Sequence, residues 1–150
     1  MITHAFARGM ERQILARWVA EIIWPGAGRD FGNCQGLAVM EDGERICGVI
    51  YHNYEPNAGV IEISAGSTSK RWLTRETLRV MFSYPFEEAG CQVIVMRCDP
   101  DDAALRRMLL AYGFELYVLP RLRGRDKHEN VFILTDDAWA SNKFNKPRGG

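Results

Sequence analysis

Apolar residues recur every three or four positions over residues 7–23. Ile14, Leu15, Trp18, Val19, Ile22 and Ile23 fall on one stripe, which predicts an amphipathic helix. Pro25-Gly26 ends it, and 26–33 reads as loop. Residues 1–6 ahead of it predict a short strand. The period then changes to two. Residues 36–40 and 45–54 are rich in Val, Ile, Leu and Tyr, and they flank Glu41-Asp42-Gly43-Glu44. The Asp-Gly step between two such runs predicts a tight hairpin. A third run, 59–65, follows the turn-like Glu55-Pro56-Asn57-Ala58, so three strands should form an antiparallel meander.

The helical period returns over 73–89, where Leu73, Thr77, Val80, Met81 and Tyr84 mark an inner face. Pro85 lacks an amide hydrogen and should kink or end that helix. Residues 91–98 are almost continuously apolar, the pattern of a strand buried on both faces. Asp99-Pro100-Asp101-Asp102 predicts a helix start, with Asp99 as the cap and Pro100 in the first turn. Leu105, Met108, Leu109 and Tyr112 share the next face, and Gly113 closes it. Two strands, 114–119 and 130–135, follow, joined by a long basic loop at 120–129. Thr135-Asp136-Asp137 should cap one more helical turn carrying Trp139. This order predicts an α+β chain, an α/β sandwich around one sheet. It is expected to form a single domain over 1–140, with 141–150 as a disordered basic tail.

Composition narrows the class. Of 150 residues, 47% are hydrophobic and 25% charged, and 19 Lys+Arg balance 19 Asp+Glu. That balance excludes a disordered chain and a generally basic nucleic-acid coat. No apolar run reaches membrane-spanning length, and the first residues do not read as a secretory signal, so a cytoplasmic protein without a membrane partner is expected. Cys34, Cys47, Cys91 and Cys98 form no C-x-x-C pair and read as buried, reduced thiols. No H-x-x-H or H-E-x-x-H spacing occurs, so no metal site is expected. The neutral total conceals local imbalance. Lys70, Arg71, Arg75 and Arg79 against Glu76 give a net +3 at the start of the second helix.

The meander, the loop and helix over 67–89, the strand at 91–98, and Asp101-x-x-Ala104…Tyr112-Gly113-Phe114 resemble the GNAT acyltransferases over residues 36–135. Arg71-Trp72-Leu73-Thr74-Arg75 followed by Tyr84-Pro85-Phe86 is similar to small acetyltransferase-like proteins of phages and prophages. The resemblance implies a GNAT-like mixed, mostly antiparallel sheet with helices on both faces. It implies transfer of an acyl group, acetyl by expectation, from acetyl-CoA or another acyl-CoA to an amine of a small molecule, protein or nucleobase. Backbone groups of Ile63, Ser64 and Ala65 would pair with the coenzyme's pantetheine arm. Lys70, Arg71, Trp72, Leu73, Thr74 and Arg75 would hold its pyrophosphate, at a helix N-terminus whose amides favour phosphate. Homodimers are common in that family, so a second copy is an implied partner.

The residues depart from the family at defined places. Its pyrophosphate loop reads Arg/Gln-x-x-Gly-x-Gly/Ala, and the best register sets Ser69, Trp72 and Thr74 on those three positions. Trp72 either blocks a phosphate, stacks on a coenzyme or fills core. Asp101 stands where the family carries Asn, and Leu109 where many members carry a general-acid Tyr. These replacements open a second class: the same fold as a binding module without coenzyme, for a nucleic acid or a host protein.

Acyl transfer to an amine needs a proton acceptor and a donor for the leaving thiolate. Glu62 alternates with Ile61 and Ile63, and a Glu near this place sometimes acts as base through water in the resembling family. The alternative is an exposed carboxylate on the outer sheet face. His52 titrates in the right range and is the other candidate, against a structural role. Tyr112 is the candidate acid, against a core position. The loop 121–127, with Arg121, Arg123, Arg125 and Lys127, suits an anionic partner such as a nucleic acid, against a solvated surface loop.

Overall fold

The computed structural model describes residues 1–145. In chain order the elements are β1 (Ile2–Phe6), α1 (Met10–Ile23), β2 (Cys34–Glu41), β3 (Glu44–Glu55), β4 (Val60–Ser67), α2 (Arg75–Ser83), β5 (Val93–Cys98), α3 (Ala103–Tyr112), β6 (Glu115–Leu119), β7 (Glu129–Thr135) and α4 (Asp136–Ser141). The strands form one mixed sheet in the order β1-β2-β3-β4-β5-β7-β6. The chain divides into two compact units, Met1–Tyr54 with Glu62–Tyr84, and Glu55–Ile61 with the chain from Pro85 onward.

In the first unit, β1 pairs antiparallel with β2, and β2 with β3, with a bulge between Val39 and Met40. The predicted hairpin turn is present. Asp42 and Gly43 both take positive φ, 50° and 85°, the twist that suits a two-residue connection. Helix α1 covers one sheet face through Leu15, Ala16 and Val19, packed with Cys34 and Ile50. The approach is close because three strand positions, Gly36, Gly48 and Gly66, lack side chains. A Cβ on Gly48 would overlap Val19 Cγ2, and one on Gly36 would lie 2.9 Å from Leu15 Cδ2. The apolar stripe is rotated from the predicted one: Ile14 is 54% exposed, and Ala16 and Ala20 are buried instead. Small residues let the helix sit down on the sheet, which periodicity of large side chains does not reveal.

Helix α2 lies on the opposite face, where Tyr51 Oη donates to the Met81 carbonyl at 2.7 Å. The single helix predicted over 73–89 is two pieces, α2 and a π-helical turn, Tyr84–Glu88, and a separate 3-10 turn, Lys70–Trp72, precedes α2. Pro85 accounts for the break, since it cannot donate into the α-helical ladder.

In the second unit, β5 pairs antiparallel with β7, and β7 with β6. Asp99 does not cap α3. Its Oδ1 accepts from the Asp101 amide at 2.9 Å, a local turn, and Asp102 Oδ1 takes the cap by accepting from Leu105 at 3.1 Å. Gly113 ends the helix at φ 119°. Thr135 caps α4 as predicted, accepting from Ala138 at 3.1 Å. Strand β5 is not buried on both faces. Ile94, Met96 and Cys98 are buried, Val93 and Val95 are only partly covered, and Arg97 is exposed. Of the tail expected from 141, Lys143–Asn145 forms a 3-10 turn, and Asn142 Nδ2 donates to the Tyr112 carbonyl at 3.1 Å. Residues 146–150 lie outside the described residues. No described helix is long and apolar enough to cross a membrane.

All four cysteines are free and buried. Burial pushes the thiols of Cys47 and Cys98 up to about 12. The thiolate is the reactive form, so the native chain should be inert to a thiol reagent at mildly alkaline pH and should release all four thiols in denaturant. Rapid labelling of the native protein, read by intact mass, would contradict this burial.

Candidate active site

The alternation of β3 and β4 brings three polar side chains to the α1 face. His52 Nε2 lies 2.8 Å from Ser64 Oγ and 3.7 Å from Glu62 Oε2. Asn53 Nδ2 donates to Glu62 Oε1 at 3.0 Å. Directly across on β2, Cys34 sits opposite His52 in register. Phe31, from the loop after α1, packs on the imidazole with ring centroids 4.9 Å apart. His52 is buried, at 7% exposure, and the Glu62 side chain is 16% exposed. Burial lowers the imidazole pKa below its ordinary 6.5, and the Glu62 charge opposes that shift. The imidazole therefore rests neutral near pH 7, with a carboxylate beside it. Such a pair can accept a proton and hold the resulting cation. A cleft of about 330 Å³ opens beside it, walled by Gln13 and Arg17 of α1 and by Asp30, Phe31 and Asn33. Phe31 is common to the cleft and to the His52 contact.

The sequence names His52 and Glu62, and the structure brings them together. It adds Ser64, expected only as a backbone contact, and Asn53 and Phe31, which were not expected at all. The missing signal was the register between β3 and β4. Alternation shows which residues share a face of one strand, and only pairing shows which strand positions meet.

Tyr112 lies in the second unit. It is 4% exposed, accepts at its hydroxyl from Trp139 Nε1 at 3.2 Å, and stacks with Phe144 at 5.6 Å. These contacts match the core position weighed for it.

The segment after β4 is basic, as its composition says, and its backbone is largely committed. Ser69 Oγ accepts from the Arg71 amide at 3.2 Å, and the Lys70 carbonyl accepts from Leu73 at 3.1 Å. Thr74 and Thr77 form a capping box: Thr74 Oγ1 accepts from the Thr77 amide at 3.1 Å, and Thr77 Oγ1 from the Thr74 amide at 3.0 Å. Thr77 Oγ1 also donates to the Trp72 carbonyl. Trp72 is buried, at 8% exposure. Arg71 Nε pairs with Glu41 Oε2 at 2.6 Å. Lys70 and Arg75 are exposed.

The basic loop after β6 is partly neutralised within its own unit. Arg123 Nε lies 3.3 Å from Glu129 Oε2, and Lys127 Nζ lies 3.2 Å from Asp101 Oδ2 and 3.5 Å from Asp99 Oδ1. The Lys127–Asp101 contact gives the carboxylate at the family's usual Asn position a local partner. Among the described residues, no group of three or more His, Cys, Asp or Glu side chains is placed to hold a metal ion.

No family model matches the sequence, and no curated protein does. Solved structures do share its fold. The chain is similar to a variant of SpeG spermidine N-acetyltransferase from Vibrio cholerae, with TM-score 0.74 and 11% identity, over 92% of this chain and 95% of that one. It is similar to a GCN5-related N-acetyltransferase from Brucella melitensis, with TM-score 0.69 and 15% identity, over 96% and 79%. It is also similar to yncA from Salmonella typhimurium, solved with its cofactor acetyl-CoA, with TM-score 0.67 and 16% identity, over 90% and 94%. Other neighbours are longer, and the chain spans only 62% of one from T. thermophilus. At these identities the likeness establishes the fold, which is that of the GNAT acetyltransferases.

Proposed function

We propose that the chain is an acyl-coenzyme A-dependent N-acyltransferase whose proton acceptor is the His52–Glu62 pair. The observation that carries the reading is that pair itself, held by Ser64 and Asn53 in a protein with the GNAT fold. The side chains of the basic segment fit a pyrophosphate. Lys70, Arg71 and Arg75 stand within six residues and are all exposed. The amides fit less well, because those of Arg71, Leu73, Thr74 and Thr77 have partners inside the loop. Phosphate would therefore be held by side chains, with Ile63, Ser64 and Ala65 of β4 as the expected partners of the pantetheine arm.

Bound acyl-CoA supplies the acyl group as a thioester. The acceptor nitrogen forms the new C–N bond as the C–S bond breaks. The His52–Glu62 pair takes the proton that nitrogen must lose, and solvent protonates the thiolate. Ser64 fixes the imidazole plane. Phe31 keeps water off one side of it and links it to the cleft carrying Asp30 and Arg17, where we place the acceptor. Tyr112 is assigned to packing. Cytoplasmic location and kinship with phage acetyltransferase-like proteins belong to the same reading.

The commitment of the loop amides and the burial of Trp72 favour one second reading, a GNAT-fold binding module without coenzyme. A calorimetric titration with acetyl-CoA separates the two. Binding, followed by thiol release with some member of a panel of polyamines, amino acids and nucleobase amines, is the expected result. No heat at millimolar coenzyme would end the enzymatic reading. Filter binding of single-stranded nucleic acid over a salt series then tests the module, through Arg121 and Arg125.

A further inference from the structure

The cleft beside His52 carries charge of both signs, and the two signs are not spent on each other. Helix α1 lines it with Gln13, Ala16 and Arg17, and the loop after α1 with Asp30, Phe31 and Asn33. Among the described residues Arg17 forms no ion pair, with Asp30 or with any other carboxylate, and Asp30 has no cationic partner. Asp30 Oδ1 accepts from the Gly32 amide at 3.0 Å, which fixes the carboxylate in the wall of the cleft. Arg12 stands one helical turn before Ala16 and so on the same side of α1. Its Nε is buried and has no hydrogen-bond partner among the described residues. The charges of Arg12 and Asp30 both reach the Cys34 thiol, in opposite senses. Cys34 is directly across the strand pair from His52. The cleft charges and the proton acceptor therefore share one neighbourhood, all of it in the first unit.

These features discriminate among amines. A polyamine is cationic along its length and would meet Arg17 and Arg12 beside the single carboxylate it needs, Asp30. A nucleobase amine is uncharged and would leave both signs unmatched. A free amino acid carries both charges a few bonds apart. Its carboxylate suits a guanidinium, which can hold both oxygens at once, and its ammonium suits Asp30. At about 330 Å³ the cleft is at the small end of ligand sites, a size for a single amino acid rather than a long chain.

We propose that the acceptor is a free amino acid, bound as a zwitterion with its carboxylate on Arg17 and its ammonium on Asp30, and with Arg12 reinforcing the carboxylate side. The inference rests on the acyltransferase reading of this site and narrows it to one substrate class. The acceptor nitrogen gives up two protons in all and forms the C–N bond as the thioester C–S bond breaks. The thiolate takes one proton back from solvent. The products are an N-acyl amino acid, the coenzyme thiol and one proton. The N-acyl product has lost its ammonium, so Asp30 no longer holds it.

Thermal melts with each common amino acid, repeated with coenzyme A present, test binding without requiring turnover. At least one amino acid should raise the melting point, and its carboxamide, which lacks the carboxylate, should not. Calorimetry with that amino acid should show an affinity about 10- to 100-fold weaker in Arg17→Gln, the worth of hydrogen bonds to a charged group. Asp30→Asn should weaken it as well. Arg8→Gln, at an exposed arginine outside the cleft, should not. An amino acid whose carboxamide binds equally well, or an affinity indifferent to Arg17→Gln, overturns the proposal. So does a chain that acylates polyamines or nucleobase amines and no amino acid. The coenzyme titration fails separately. If acetyl-CoA binds and no amino acid does, the substrate class is wrong and the acyltransferase reading stands. If an amino acid binds with these dependences and acetyl-CoA does not, the zwitterion site stands and the acyltransferase reading falls.

Discussion

Replacing His52 by Gln is expected to lower acyl transfer by about 10²- to 10⁴-fold, the usual contribution of a positioned proton acceptor. Glutamine keeps a hydrogen-bonding group near Ser64 Oγ and roughly the side-chain volume, so melting near neutral pH should change little. The pH profile carries the diagnosis. Burial lowers the His52 pKa, so the wild-type rate should rise with pH through a value below 6.5 and level off above it. Glu62→Gln removes the charge that opposes the shift, so its acidic limb should move to still lower pH. His52→Gln should lose that limb. The same shift has a stability consequence with a fixed sign. The folded state refuses a proton that the unfolded state accepts, so stability is complete above about pH 6.5 and falls as pH drops toward the folded pKa. His52→Gln should flatten that fall. A His52→Gln protein with full rate and an unchanged profile would remove His52 from the chemistry. If Glu62→Gln were then inactive, the carboxylate alone would be the base.

Much of this arrangement is legible in the chain, for reasons that differ by element. The hairpin at Asp42-Gly43 is a local matter of two residues that tolerate positive φ. Gly113 and Thr135 are equally local signals, and both end or begin helices where expected. Asp99 and Asp102 show the limit of such signals. Either carboxylate can cap, and the choice fell to the one left over once Asp99 had folded onto Asp101. Burial of β5 on one face could not be read from Val93 and Val95. A strand of apolar residues looks the same whether or not something covers each side. At the site, His52 and Glu62 are visible as titratable residues in strands. Their meeting, and the recruitment of Ser64, depend on register, which no single strand encodes.

Trp72 is where a local replacement decides between readings of the whole protein. Its side chain is buried without any ligand, and its carbonyl is held by Thr77. Trp72→Ala is therefore expected to destabilise the fold by about 3–5 kcal/mol, the cost of emptying a buried aromatic site. In a chain of this size that corresponds to a melting point lower by roughly 6–20 °C. Thr77→Val should follow in the same direction with a smaller loss, about 0.5–1.5 kcal/mol, because the Thr74 amide and the Trp72 carbonyl lose the Thr77 hydroxyl but keep their bond to each other at 2.9 Å. A residue that served instead to stack on a coenzyme would behave in the opposite way. Its loss would leave the melting curve of the free protein in place and would remove the stabilisation that added acetyl-CoA gives, by mass action on the folded state. Thermal melts of wild type and Trp72→Ala, each with and without acetyl-CoA, distinguish these. A large loss without ligand places Trp72 in the core. It would mean that the position where the resembling family carries glycine has been given over to packing, and that any phosphate must be met by the side chains of Lys70, Arg71 and Arg75 rather than by the loop's amides.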